Sequence, residues 1–241
     1  MSHPLFLASF GDVVPGQVVS LTGDEGRHAA VVRRIRRGET VLVADGAGRA
    51  VEGVVVAAER DRLDVEAGRV LEEPRRAYRL VAVQALAKGE RSDLAVELLT
   101  ETGADEIIAW QAERSIVQWS GQRGEKSLAK WAATARAATK QSRRFTVPAV
   151  SHATTRQLLE RLAGTTAYVL HESATDRLAE AVAGFCGPEI VVIVGPEGGI
   201  SPRELELFAG VGAHPVLLTS HVLRTSSAGG IALAQVQAVL G

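Results

Sequence analysis

The pattern of apolar and polar positions changes character after residue 72. Before it lie short alternating runs, Val13 to Leu21, Thr40 to Ala44, Ala50 to Ala57 and Arg62 to Val70, cut by Pro15-Gly16, Gly38, Asp45-Gly46 and Gly48. Period-two alternation with turn residues at this spacing predicts a small β-barrel domain over 1–72. One helical stretch interrupts it. Gly26 to Arg36 puts His28, Val31, Val32 and Ile35 on one face, with Arg33, Arg34, Arg36 and Arg37 on or beside the other. Glu72-Glu73-Pro74-Arg75-Arg76 is a charged, proline-broken linker. Over 73–241 strands and helices alternate: Leu80 to Ala85, Asp93 to Thr102, Glu106 to Trp110, Ser127 to Ser142, Ala167 to Leu170, Thr175 to Ala183, Ile190 to Val194, Pro202 to Ala209, Pro215 to Thr219 and a closing helix to Val239. That alternation predicts an α/β domain built on a mostly parallel sheet.

Two of these strands end in loops that carry chemistry. IVVIV runs into Gly195-Pro196-Glu197-Gly198-Gly199, and Ser201-Pro202-Arg203-Glu204 then places a hydroxyl at the N-cap, proline at the first helical position and glutamate three residues after the cap. The second loop runs His221-Val222-Leu223-Arg224-Thr225-Ser226-Ser227-Ala228. In open α/β sheets such loops line the ligand crevice at the strand carboxyl ends. A phosphate cradle does not fit, because the Walker lysine and the GxGxxG spacing are absent and Glu197 would stand against the phosphate. Bare amides beside a carboxylate suit a neutral or cationic ligand; the competing reading is a simple tight turn.

Apolar residues at 46% and charged residues at 23% are values of a soluble globular protein, so disorder is not expected. The amino terminus has no signal-peptide pattern and no apolar run reaches membrane-spanning length, which predicts a cytoplasmic protein without a membrane partner. The single cysteine, Cys186, excludes an internal disulfide and is expected to be buried. His171-Glu172 lacks the second pair of an HExxH motif, so no metal is expected. The net charge of −1 gives no global attraction to nucleic acid, but only four of the 27 basic residues are lysine and arginines come in pairs at Arg33-Arg34, Arg36-Arg37, Arg75-Arg76 and Arg143-Arg144. Local arginine patches suit phosphate contacts and base stacking.

VGPEGGISPRE, followed by Leu218, Val222-Leu223-Arg224-Thr225 and Ala228, resembles the signature of the SPOUT-class RNA methyltransferases, most closely the family that methylates N3 of a uridine in small-subunit ribosomal RNA. His28, Val32, Arg34 and Gly38-Glu39, followed by Asp45-Gly46 and Gly48, resemble that family's amino-terminal PUA-like domain. The resemblance implies a PUA-like RNA-binding β-barrel over 1–72, a SPOUT domain with a deep trefoil knot over 73–241, and a homodimer. It also implies S-adenosylmethionine as methyl donor and 16S ribosomal RNA as substrate, within the small ribosomal subunit or its precursor. On this reading Leu170, His171, Gly195, Pro196, Glu197, Gly198, Leu218, Val222, Leu223, Thr225 and Ala228 hold the cofactor, and Arg33, Arg34, Arg36, Lys88, Arg114, Arg143 and Arg144 contact RNA. The family commonly has glutamate where this chain has Ser226.

Attack by uracil N3 requires losing a proton and spreading charge onto two carbonyl oxygens. Arg224, leaving the second loop, is the candidate catalytic residue for stabilising those oxygens. No general base is evident: Glu197, Glu172 and His171 are candidates, and each reads more readily as a binding or orienting group. The alternatives are a SPOUT ribose 2′-O-methyltransferase acting on transfer or ribosomal RNA and a non-catalytic RNA-binding assembly factor.

Overall fold

The computed structural model describes residues 3–241 and divides into two compact units, Met1–Arg75 with Thr139–Val147, and Arg76–Ala138 with Pro148–Gly241. The division thus falls just beyond the expected boundary at residue 72, and the first unit takes in a later segment that no local pattern announces.

The first unit is a five-stranded half-barrel in the order β1-β3-β4-β5-β2, with β1 Leu5–Leu7, β2 Val18–Thr22, β3 Thr40–Ala44, β4 Arg49–Ala58 and β5 Arg62–Glu72. β1 pairs with β3 in parallel and the other pairs are antiparallel. Alternate residues of each strand point inward, so Phe6, Leu21, Val41, Val43, Val51, Leu63 and Val65 form one core. The helix expected over Gly26 to Arg36 is two short pieces, α1 Gly23–Arg27 and a π-helical turn His28–Val32. The wider turn shifts the buried face to Ala29 and Ile35, leaving Val31 and Val32 exposed rather than on the core face as the helical spacing implied. Gly26 lets α1 lie on the backbone, since a side chain there would collide with the carbonyls of Leu21 and Asp61. Thr139–Val147 joins this unit through backbone bonds of Val147 to Gly46 and of Gly48 to Phe145, while Lys140 pairs with Glu25 at 3.0 Å.

The second unit is a six-stranded, wholly parallel sheet in the order β11-β9-β10-β6-β7-β8. Its strands are β6 Arg79–Ala85, β7 Glu106–Gln111, β8 Ala149–Thr154, β9 Thr166–Leu170, β10 Glu189–Val194 and β11 His214–Val216. Near-continuous apolar runs such as LVAV and IVVIV are what a sheet covered on both faces requires. One face packs on α2 Glu90–Glu101, α3 Gly121–Ser142, α5 Leu178–Val182 and α7 Thr225–Leu240, through Leu99, Trp131, Val182 and Leu233. The other packs on α4 Thr155–Leu162 and α6 Pro202–Gly210, through Leu158, Leu162 and Phe208. β8 and α4 were not expected, although Thr154 and Gln157 form a complete capping box that the sequence displays. Arg76 is tied into the second unit, donating to Asp105 and to the carbonyl of Gly103, both at 2.7 Å. Cys186 is exposed rather than buried, because it lies in the turn between α5 and β10.

Candidate functional site

Three adjacent strands, β11, β9 and β10, end side by side, and the loops that leave them enclose a cavity of about 640 Å³. Leu170, His171 and Glu172 come from β9, Gly195 to Ile200 from β10, and Leu217 to Leu223 from β11. Each loop is fixed by backbone bonds. Gly199 N–H closes a turn on Pro196 at 2.9 Å, and Gly199 has φ +74°, a conformation that glycine adopts without strain. His171 N–H donates to Val216, and Leu217 N–H donates to Asp176. The segment leading into α7 is tied down by Thr225, whose hydroxyl reaches the Gly195 carbonyl.

The floor of the glycine loop rests on a buried polar network. Ser201 and Glu204 make the expected capping box, with Glu204 only 3% exposed. The Glu204 carboxylate also accepts from Glu113 N–H at 2.8 Å and from the Thr155 hydroxyl at 3.0 Å, and Ser201 Oγ donates to Glu113 at 2.6 Å. One glutamate therefore caps α6 and anchors the loop after β7. That loop carries Arg114, which lines the cavity and donates to the Gly198 carbonyl at 3.3 Å. Glu197 faces Arg91 of α2 at 3.8 Å.

All eleven residues expected around a cofactor, Leu170, His171, Gly195 to Gly198, Leu218, Val222, Leu223, Thr225 and Ala228, lie on the wall of this one cavity. Glycines and apolar side chains dominate the wall, and a Cβ added at Gly198 would come within 3.2 Å of the Arg114 carbonyl. The space and the bare backbone fit an adenosyl group bound mainly through main-chain contacts. Among the described residues no three His, Cys, Asp or Glu side chains gather as a metal-ligand group, and no helix is long and apolar enough to cross a membrane.

Arg224 is the N-cap of α7 and is exposed; it flanks the cavity between Leu223 and Thr225 without lining it. Ser226 is buried at 4% exposure and does not line the cavity. Arg33, Arg34, Arg36 and Arg143 are exposed on the first unit, whereas the Arg144 side chain is 12% exposed and faces Glu73 at 4.0 Å. Lys88 is exposed after β6, in the second unit. Sequence reasoning missed Ile200, Pro202 and Leu205 as cavity walls, though they follow directly from the motif that it singled out. It also missed His152 on β8, which stacks on Trp119 with centroids 5.7 Å apart and whose Nε2 is buried without a partner. Burial holds the His152 imidazole below its ordinary pKa.

Residues 74–237 match the family model described as RNA methyltransferase domain, and 21–67 match the RNA methyltransferase PUA domain. The chain is 44% identical to ribosomal RNA small subunit methyltransferase E of Mycobacterium bovis, over 93% of this chain and 88% of that protein. Its fold matches ribosomal RNA small subunit methyltransferase E from Neisseria gonorrhoeae bound to S-adenosyl methionine, with a TM-score of 0.88, 28% identity and 98% of each chain covered. A methyltransferase from Legionella pneumophila in complex with SAM matches with a TM-score of 0.87 and 26% identity, covering 99% of this chain and 98% of that one. The chain therefore belongs to the family of RNA methyltransferases that includes the ribosomal RNA small subunit methyltransferase E proteins.

Proposed function

We propose that the chain transfers a methyl group from S-adenosylmethionine to N3 of a specific uridine in 16S ribosomal RNA. It does so as a cytoplasmic homodimer acting on the small ribosomal subunit or its precursor. The observation that carries this reading is the cavity at the carboxyl ends of β9, β10 and β11, walled by bare backbone and apolar side chains. The relatives named as ribosomal RNA methyltransferases and the related structures bound to S-adenosylmethionine support it. When bound, S-adenosylmethionine supplies an activated methyl group on a positively charged sulfur.

The chain's own residues supply position and charge. The loops at Gly195–Gly199 and Leu217–Leu223 hold and shield the reacting groups, which converts a bimolecular encounter into an oriented one. Arg224 donates to the uracil oxygens as N3 loses its proton, where its planar fork matches a planar base. His171, Glu172 and Glu197 are the proton acceptors on the wall; His171 Nδ1 is engaged with Ser173 at 2.8 Å, which leaves its Nε2 for other partners. Arg33, Arg34, Arg36 and Arg143 grip RNA phosphates from the first unit, while Arg144 serves the ion pair with Glu73. A trefoil knot belongs to the same reading. The return of α7 from edge strand β11 to β10 and β6, where Thr225 bonds to Gly195 and Gln84, supports it.

Purified protein incubated with S-adenosylmethionine and small ribosomal subunits is expected to yield 3-methyluridine, read by mass spectrometry of nucleosides. A 2′-O-methylated nucleoside would move the target to ribose, and failure to bind S-adenosylmethionine by calorimetry would make the protein a non-catalytic RNA binder.

A further inference from the structure

A second cavity, of about 550 Å³, opens where β6 and β7 give way to their carboxyl-terminal loops. Its wall is aromatic. Trp131 is fixed by donation of its indole N–H to Ser92 at 2.8 Å, and Trp119 meets it edge-on with centroids 5.2 Å apart. His152 stacks on Trp119 with centroids 5.7 Å apart and holds that ring from within the second unit. Because Trp119 is half-buried and so held, it offers a rigid ring to whatever enters. The rim is cationic: Lys130 is paired with Asp93 at 2.7 Å, but Lys88 and Arg123 are exposed and meet no carboxylate among the described residues.

One loop contributes to both cavities. The loop after β7 sends Arg114 to the Gly198 carbonyl and, two residues on, Ile116 to the second cavity. Arg114 and Trp119 are at most about 18 Å apart even with the chain fully extended. The two most exposed large apolar side chains among the described residues, Val222 at 77% and Ile116 at 74%, line the first and second cavities respectively.

We propose that the second cavity binds a nucleotide of single-stranded RNA flanking the base that enters the first. An aromatic wall takes the π-face of any base, and two unpaired cations at the rim take the phosphate, the combination by which single strands are held without sequence readout. Charge complementarity favours RNA over a second copy of this chain, because a symmetric contact would set Lys88 and Arg123 against like charges. The inference rests on the methyltransferase reading and extends its substrate site from one nucleotide to at least two.

The test uses the full chain and hexauridylate as probe. Trp110 and Trp131 are 0% and 2% exposed whereas Trp119 is half-buried, so stacking in this cavity is read mainly as quenching of Trp119 fluorescence, and Trp119→Phe should remove most of that signal while leaving the protein folded. Lys88→Gln combined with Arg123→Gln is expected to weaken hexauridylate binding and to raise the KM for small subunits at least tenfold. Affinity for S-adenosylmethionine should stay within twofold. Absence of quenching, or a double variant with unchanged hexauridylate affinity and unchanged KM, would overturn the proposal. A double variant that instead changes oligomeric state in sedimentation would assign the cavity to an interface between copies. Wild-type protein that binds hexauridylate but not S-adenosylmethionine would sink the methyltransferase reading and leave this site standing.

Discussion

The hydroxyl of Thr225 donates to the Gly195 carbonyl at 2.6 Å and accepts from Gln84 Nε2 at 3.1 Å. One buried oxygen thus ties the end of β10, the end of β6 and the first turn of α7 together at the rim of the larger cavity. Thr225→Val keeps the shape and removes the bond, leaving the carbonyl unpaired beside Gln84, whose Oε1 already lacks a partner. The expected loss is about 1–3 kcal/mol in denaturant unfolding, with weaker binding of S-adenosylmethionine in calorimetry. Thr225→Ser should restore both. Unaltered affinity in the valine variant would detach this bond from the site.

Gly198 tests whether the glycine loop is a cradle or only a turn. A Cβ there would lie 3.2 Å and 3.3 Å from Arg114 atoms, so a branched side chain would have to displace the Arg114 segment, which itself lines the cavity. Gly198→Val should lower S-adenosylmethionine affinity more than tenfold with little change in melting temperature. Affinity within a few-fold of wild type would reduce the loop to a turn.

Arg224 separates binding from chemistry. Its side chain is exposed beside the cavity and is not part of the wall, so Arg224→Ala should leave cofactor affinity nearly intact. Loss of a donor aimed at charge that develops only in the transition state should slow single-turnover methylation by about a hundredfold or more. Lysine should rescue poorly, and raising the pH should restore part of the rate by ionising the uridine. Normal turnover in the alanine variant would leave the chemistry to proximity alone.

Arg34 and Arg143 are the two non-glycine residues with positive φ among those described, at +55° and +59°. Each follows a helical segment and sits where a chain-reversing cap ordinarily has glycine, as the bonds from Ile35 to Ala29 and from Arg144 to Thr139 show. Holding a side chain in this conformation costs about 1 kcal/mol. Glycine at either position should therefore raise stability while lowering affinity for ribosomal RNA and the slope of that affinity against salt. Gains in stability without any loss of RNA binding would show that these arginines are only misplaced caps.

His152 sets a pH dependence of known sign. Burial depresses its folded pKa below the unfolded value near 6.5, so the unfolded chain binds the extra proton first. The contribution of this group to stability is complete above that value and falls as the pH drops through it toward the folded pKa. His152→Gln should flatten this part of the profile. The imidazole resonance of His152 in NMR should titrate below the ordinary histidine range, and a normal titration would contradict the burial argument.

Much of the second unit was legible because its strands are uninterrupted apolar runs and its key helix begins with a proline-containing capping box. Both are local signals. The loops that line the larger cavity were legible for the same reason, as glycine, proline and capping residues stand next to one another. The π turn at His28–Val32 was not, since a helix and a π-helical turn share the same residues and differ only in which carbonyl each N–H finds. β8 was hidden by its mixed burial, with His152 and Ser151 in place of an apolar run. Arg144 was grouped with RNA contacts because it is paired with Arg143 in sequence, yet the reversal at Arg143 turns the two side chains to different surroundings.

The first unit is not contiguous in sequence, and this has a topological consequence for taking the protein apart. The chain passes between the two units at Arg75–Arg76, again at Ala138–Thr139 and again at Val147–Pro148. A single proteolytic nick at any of these crossings leaves the other two crossings uncut, so no single cut can release either unit free of residues that belong to the other. Severing the chain after Arg75 would also deprive Thr139–Val147 of Gly46, Gly48 and Glu25, its partners in the sheet and in the ion pair. A plain amino-terminal deletion therefore makes a frayed carboxyl-terminal piece, and isolating that unit cleanly requires a graft across 139–147 as well.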